Sequence, residues 1–374
     1  MFKHQRTQNR STFYMPTTIR GLMLAVGLSW YALLSTAQAQ SRYVITDLGT
    51  LGGDSVATDI NDRGEVVGFD RVPNNFGIDR AFLYDGGQLR DPGTPDGDAS
   101  IANGINNRGQ VVGEFSPSED FSPEHAFLYS HGQFVDLIPA SPDSSANGIN
   151  NQGQIVGAFS VSGTTDAFLY TGGQLRDLGT LGGVGSSADG INDRGQVVGE
   201  SSIAGNSVYH AFIYSAGQMQ DLGAFGPNSA SNSSVASGIN QHGQVIGYGY
   251  LQGSSGVFHA FLYTGGLLQD LGTLGGDNSF ASGINNRGQV VGGSSIAGNS
   301  ASHGFIYSGG QMQDLNNLLA PNPGWIVTEA AGINDAGRIA ATGRFNGQTH
   351  ALLLNPVHRN AMIAQPILQK MGSH

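Results

Sequence analysis

The chain has 374 residues, a formal charge of −11, 58 glycines and no cysteine. Without cysteine it cannot be a disulfide-held scaffold, and its negative charge repels phosphate backbones, which excludes nucleic acid as a partner. Glycine at this level could signal low-complexity disorder, but here it recurs at fixed places beside Val, Ile, Phe and Leu, a register that disorder lacks.

Residues 1–39 have the form of a cleaved export signal. Arg20 precedes an apolar run over 21–34, and Ala37-Gln38-Ala39 fits a small-residue cleavage site. The run is shorter than the roughly 20 residues of a spanning helix. Cleavage would remove Lys3, Arg6, Arg10 and Arg20 and no acid, taking the formal charge from −11 to −15. The expected location is therefore outside the cytoplasm, extracellular or periplasmic, with no transmembrane anchor in the mature chain.

From residue 43 to residue 354 one unit repeats. The tripeptide Gly-Ile-Asn ends at Asn106, Asn150, Asn192, Asn240, Asn285 and Asn334, and at Asn61 with Asp59 in place of the glycine. The intervals between these asparagines are 45, 44, 42, 48, 45 and 49 residues, and a period of that size decides the architecture before any local reading does. Each unit predicts four short strands. Around Asn285 the first covers 279–284 and the second 289–294, joined by Asn285-Asn286-Arg287-Gly288. Asn initiates tight turns, and Gly supplies the left-handed residue that closes the hairpin.

The third strand reads His-Ala-Phe-Leu-Tyr at 125–129 and 259–263 and His-Ala-Phe-Ile-Tyr at 210–214, with variants at 80–84, 166–170, 303–307 and 350–354. Such an unbroken apolar run suits a strand covered on both faces. The fourth is marked by Asp91, Asp136, Asp177, Asp221, Asp270 and Asp314. It follows only six of the seven third strands, and the missing copy stands at the front, in Tyr-Val-Ile-Thr-Asp-Leu-Gly over 43–49.

Four strands in each period, with one strand displaced to the N-terminus, predict an all-β fold. The expectation is a seven-bladed β-propeller of four-stranded antiparallel blades over residues 40–355, its ring closed by the N-terminal strand. Residues 356–374 lie beyond the repeat as an irregular tail. Three stretches break the pattern: 115–124, 227–234 and 320–325. Loops special to one blade are where a functional surface is expected.

The Gly-Ile-Asn, Gly-Gln-Val-Val-Gly, His-Ala-Phe-Leu-Tyr and Asp-Leu-Gly-Thr-Leu-Gly-Gly blocks resemble the HAF-repeat family of bacterial extracellular proteins over nearly the whole mature chain. The resemblance implies secretion and a propeller, and no established activity. Arg80, Asp166 and Gly304 depart from its His-Ala pattern.

Among chemistry-bearing residues, His125, His210, His259, His303 and His350 stand at strand starts. There each reads as a structural donor to a fixed acceptor in its own blade, the Asp of the fourth strand being the candidate. Equivalent positions in different blades are held apart, so no metal site and no cofactor is expected. Asn61, Asn106, Asn150, Asn192, Asn240, Asn285 and Asn334 read as turn residues. Glu119, Asp120 and Glu124 in the 115–124 loop, and Trp325, the one tryptophan beyond the signal, form the candidate ligand-binding surface; Asp70 is a further acid outside the repeat consensus. No nucleophile motif, zinc-protease motif or phosphate loop occurs. The expected function is a monomeric, non-catalytic binding or scaffold module for a protein or polymer. The alternatives are a propeller-type glycan hydrolase or lyase and an outer-membrane surface protein.

Overall fold

This computed structural model describes residues 43–72, 78–93, 99–116, 124–141, 143–205, 208–226, 232–253, 256–321 and 324–357. The segment expected to be an export signal and most of the expected C-terminal tail lie outside the described residues.

Blade 1 consists of strands Asp54–Ile60, Val66–Arg71, Asp79–Asp85 and Gln88–Arg90, paired antiparallel in chain order. Five more meanders of the same kind follow, so that six of the seven four-stranded sheets are continuous in sequence. The seventh is assembled from both ends of the repeat. Its strands Ile326–Ile333, Ile339–Phe345 and Gln348–Pro356 take Tyr43–Asp47 as the outermost strand, in a register from Tyr43↔Pro356 to Asp47↔Leu352. The protein is thus a seven-bladed β-propeller with its ring closed by the N-terminal strand. Because Tyr43 has a partner there, strand pairing runs to Pro356, one residue past the expected end of the propeller.

The first hairpin of each blade turns on its Asn and Gly. Gly64 N donates to Asn61 O at 3.0 Å with Gly64 at φ +85°, and the same bond recurs in the other six blades. The third strand is covered on both faces, as its composition requires. Phe82, Phe127, Phe168, Phe212, Phe261 and Phe305 are fully buried, and Leu352 fills the same place in blade 7. Their clusters mix adjacent blades: Val67 and Ala81 of blade 1 pack with Ala102, Ile105 and Phe127 of blade 2. The core is therefore an annulus of blade-to-blade seams, in which each buried Phe contributes about 1.5–3 kcal/mol.

Six of the seven seams are also keyed by a hydrogen bond. The third-strand alanine N donates to a serine Oγ of the next blade in the pairs Ala81–Ser100, Ala126–Ser144, Ala167–Ser186, Ala211–Ser234, Ala260–Ser279 and Ala351–Ser55, at 2.8–3.0 Å.

An antiparallel meander sorts its connections by end. The turns between strands 1 and 2 and between 3 and 4 lie at one end of the ring, and the 2–3 and blade-to-blade connections lie at the other. The motif asparagines mark the first end. The described residues that flank the three irregular stretches lie at the second.

Candidate functional site: the axial cavity

Every first strand carries an irregularity in the same place. The register against the second strand slips between Ala57 and Asp59, Ala102 and Gly104, Ala146 and Gly148, Ala188 and Gly190, Ala236 and Gly238, Ala281 and Gly283, and Ala330 and Gly332. The extra residues are Thr58, Asn103, Asn147, Asp189, Ser237, Ser282 and Ala331. A bulge residue leaves the ladder and its side chain is re-aimed. The second-strand glycine beside the slip makes room for it: a Cβ on Gly68, Gly113, Gly157, Gly199, Gly247 or Gly292 would lie 1.9–2.0 Å from a first-strand carbonyl oxygen.

All seven bulge residues line one cavity of about 580 Å³, to which the first strand of every blade contributes. Four of them reach across the seam to the alanine carbonyl of the next blade. Thr58 Oγ1 donates to Ala102 O at 2.6 Å, Asn103 Nδ2 to Ala146 O at 3.2 Å, Asn147 Nδ2 to Ala188 O at 3.0 Å and Ser237 Oγ to Ala281 O at 2.6 Å.

One end of the cavity is ringed by the motif asparagines. Asn61 Nδ2 donates to Asn106 O, Asn106 to Asn150 O, and so on through every blade until Asn334 Nδ2 donates to Asn61 O, all at 2.9–3.1 Å. A second circle lies one residue on. The backbone N of Asp62 donates to Asn107 Oδ1, and the pattern proceeds through Asn151, Asp193, Gln241, Asn286 and Asp335, whose N returns to Asp62 Oδ1. Both circles are complete.

The walls are acidic. Asp59, Asp62, Asp189, Asp193, Glu329 and Asp335 line the cavity, and no Lys, Arg or His does. Burial pushes the Asp59 carboxyl up to about 6 against the pull of the Ile105 and Ile60 amides, which donate to it. Asp189 is pushed up to about 7, by burial first and then by Glu200, while Ser187 and Asn147 oppose. Burial also raises Glu200 and Glu329, and it raises Tyr248 with help from the charges of Glu200, Tyr250 and Asp189. Among the described residues no three His, Asp or Glu side chains are grouped so as to hold a metal ion.

The repeat histidines lie away from this cavity, each against its own blade's Asp. His Nδ1 sits 2.7 Å from Asp136 in His125, 2.9 Å from Asp221 in His210, 2.9 Å from Asp270 in His259, 2.7 Å from Asp314 in His303 and 2.9 Å from Asp47 in His350. The same aspartates accept from the amide two residues on, as Asp221 does from Gly223 N at 2.7 Å. Burial alone would raise the Asp221 carboxyl, but His210 and that amide outweigh it and hold it below the ordinary range. Where the motif departs, Arg80 stands 3.7 Å from Asp91, and Asp166 is raised by burial and by the facing Asp177.

Glu119 and Asp120 fall outside the described residues. Glu124 is exposed at the start of its strand in blade 2; burial, and then the Glu124 charge, push Glu114 up to about 7. Trp325, in blade 7, stacks on Phe345 with centroids 5.0 Å apart and meets His350 edge-on at 5.4 Å. Blade 1 therefore lies between the blades that carry Glu124 and Trp325. Asp70 is fully buried, and its two oxygens accept from Leu51 N and Gly53 N at 2.8 and 3.0 Å. The residues that the sequence reading missed are the bulge residues. Their signal was the variable position directly after an invariant Ala, two residues before the Ile of the Ile-Asn pair.

Residues 46–138 match a family described as a protein of unknown function, DUF3466. No functionally curated protein matches the chain in sequence. Among solved structures, the chain is similar to the β-propeller domain of the Trilobed protease from Pyrococcus furiosus, with 13% identity over 86% of this chain and 100% of that one, at a TM-score of 0.54. It is also similar to oligogalacturonate lyase from Vibrio parahaemolyticus, with 10% identity over 84% of this chain and 94% of that one, at a TM-score of 0.53. At these identities the likeness is one of fold.

Proposed function

We propose that the protein is an exported binding module that holds part of a protein or polymer partner in its axial cavity. The carrying observation is where the repeat varies. The first-strand alanine and the motif asparagine are the same in every blade, whereas the bulge positions facing the cavity read Thr, Asn, Asn, Asp, Ser, Ser and Ala. The fold asks only for a bulge there, so the differing side chains make an asymmetric wall suited to orienting one ligand. Six lining acids with no lining base favour a ligand that brings cationic or hydrogen-bond-donating groups.

The test is calorimetric titration with defined basic peptides and amino-sugar oligomers, using the protein and Ser237→Trp, which narrows the cavity. The expected result is binding that weakens at least tenfold in Ser237→Trp and in high salt. Equal binding by the two proteins would move the site off the axis and refute the proposal.

A further inference from the structure

The seam between blades 4 and 5 differs from its neighbours in one chemical respect. In blades 1, 2, 3 and 5 the bulge residue donates a hydrogen bond to the next blade's alanine carbonyl, from an O–H or N–H of Thr58, Asn103, Asn147 and Ser237. In blade 4 that place is held by Asp189, on strand Gly182–Ile191, facing strand Ser234–Ile239 of blade 5. The backbones are as close here as elsewhere in the ring. A Cβ on Gly190 would lie 3.2 Å from Gly238 Cα, compared with 3.5 Å from Gly148 to Gly190 one seam earlier. By its register Asp189 holds the place from which Asn147 reaches Ala188 O one seam earlier, and Ala236 holds the place of Ala188.

A carboxylate has no proton to offer that carbonyl; a carboxylic acid has one. Two donors, Asn147 Nδ2 and Ser187 Oγ, both reach Asp189 Oδ1 at 3.3 Å, which leaves Oδ2 to carry the proton. We propose that the inner edge of this seam is a proton-operated latch: Asp189 closes it as a neutral acid donating to the Ala236 carbonyl, and loss of the proton loosens it.

The surroundings favour the neutral form. The titratable groups facing Asp189 are Glu200 on blade 4's second strand and Tyr248 on blade 5's second strand, both negative when ionised. Asn147 and Ser187 are neutral, and no cationic side chain lines the cavity. Burial and Glu200 accordingly lift this carboxyl from 3.8 to about 7. An acid whose pKa is raised on folding adds stability that is complete below its unfolded value and is lost as pH rises through the folded one. One proton is involved, so the folding constant falls by up to about tenfold per pH unit between those values.

The experiment follows urea unfolding from pH 4 to 8.5 in the wild type, Asp189→Asn, Asp189→Ser and Glu200→Gln, with infrared spectra of the folded proteins. Asn and Ser are the donors used by neighbouring blades, and neither titrates. Both should flatten the fall in stability between pH 5 and 8, matching the wild type at pH 5 and exceeding it at pH 8. The protonated-carboxyl intensity at pH 5 should be smaller in both variants than in the wild type by the share of one carboxyl, the remainder belonging to groups such as Asp59 and Glu114. The latch is overturned if both variants keep the wild-type slope, or if Glu200→Gln alone removes it. It is overturned equally if the protonated-carboxyl intensity at pH 5 is unchanged by replacement of Asp189.

Discussion

At the scale of the residue, the motif asparagine is explained by a count of its polar atoms. Asn192 Oδ1 accepts from Arg194 N and Gln196 N, both at 3.0 Å. Its Nδ2 donates to Gln196 Oε1 at 2.8 Å and to Asn240 O of the next blade at 3.0 Å. Two acceptances inside the turn and two donations, one of them across the seam, use everything the amide offers. Asp lacks the donors and Ser is too short, so the repeat has one solution at this position and uses it seven times. Asn192→Asp keeps the turn but sets a carboxylate against the Asn240 carbonyl. It should cost roughly 1–3 kcal/mol at neutral pH, the cost of an unsatisfied buried polar group. Urea unfolding checks this, and an unchanged midpoint would show that the ring bond contributes nothing.

At the scale of the element, the seam between blades 6 and 7 shows how a departure in sequence is compensated in space. Elsewhere a third-strand Ala donates to a first-strand Ser. Here Gly304 replaces the Ala, and a Cβ on it would lie 2.8 Å from Val327 Cγ1. Val327 is itself fully buried and packs with Leu315, Ile339 and Leu352. The two departures therefore belong together. Gly304→Ala alone should destabilise by about 1–3 kcal/mol through overpacking. Adding Val327→Ser, which restores the pair found in the other seams, should recover much of that loss. The check is a double-mutant cycle; additive effects would mean that the two sites are independent.

This pair also marks what was legible in the chain. The turn asparagines, the apolar third strands and the displaced fourth strand are local patterns with a fixed period, and they suffice for blades, blade number and closure. The axial cavity is not a local pattern. Its wall depends on a bulge, and a bulge is a two-against-one count between strands that a linear reading of Ala-Asp-Gly-Ile-Asn does not display. Asp189 looks like one more strand residue until its neighbour in blade 5 is known. The special loops drew attention because they differ in length, while the bulge residues differ only in identity.

At the scale of the whole molecule, the ring is closed twice, by unequal means. The inner closure is polar: Asn334 Nδ2 to Asn61 O at 3.0 Å and Asp335 N to Asp62 Oδ1 at 3.1 Å complete the two circles, and Ala351 N to Ser55 Oγ at 2.8 Å keys the seam. The outer closure is the strand Tyr43–Asp47, which adds a ladder along Gln348–Pro356, the Asp47–His350 contact at 2.9 Å and the bond from Ala320 N to Tyr43 O at 2.7 Å. None of the inner bonds involves residues 43–47. A chain beginning at Leu48 should therefore keep its far-ultraviolet circular dichroism, because the inner circles still join blade 7 to blade 1. It would also present the strand Gln348–Pro356, whose Leu352 and Leu354 are fully buried in the intact ring, as an open edge. The expected outcome is concentration-dependent association in sedimentation and a lower thermal midpoint. A peptide spanning 43–49 should reverse both, since it restores the missing ladder. A truncated chain that stays monomeric with an unchanged midpoint would mean that the inner circles alone hold the ring. A truncated chain that loses its circular dichroism would mean that they contribute little without the outer strand.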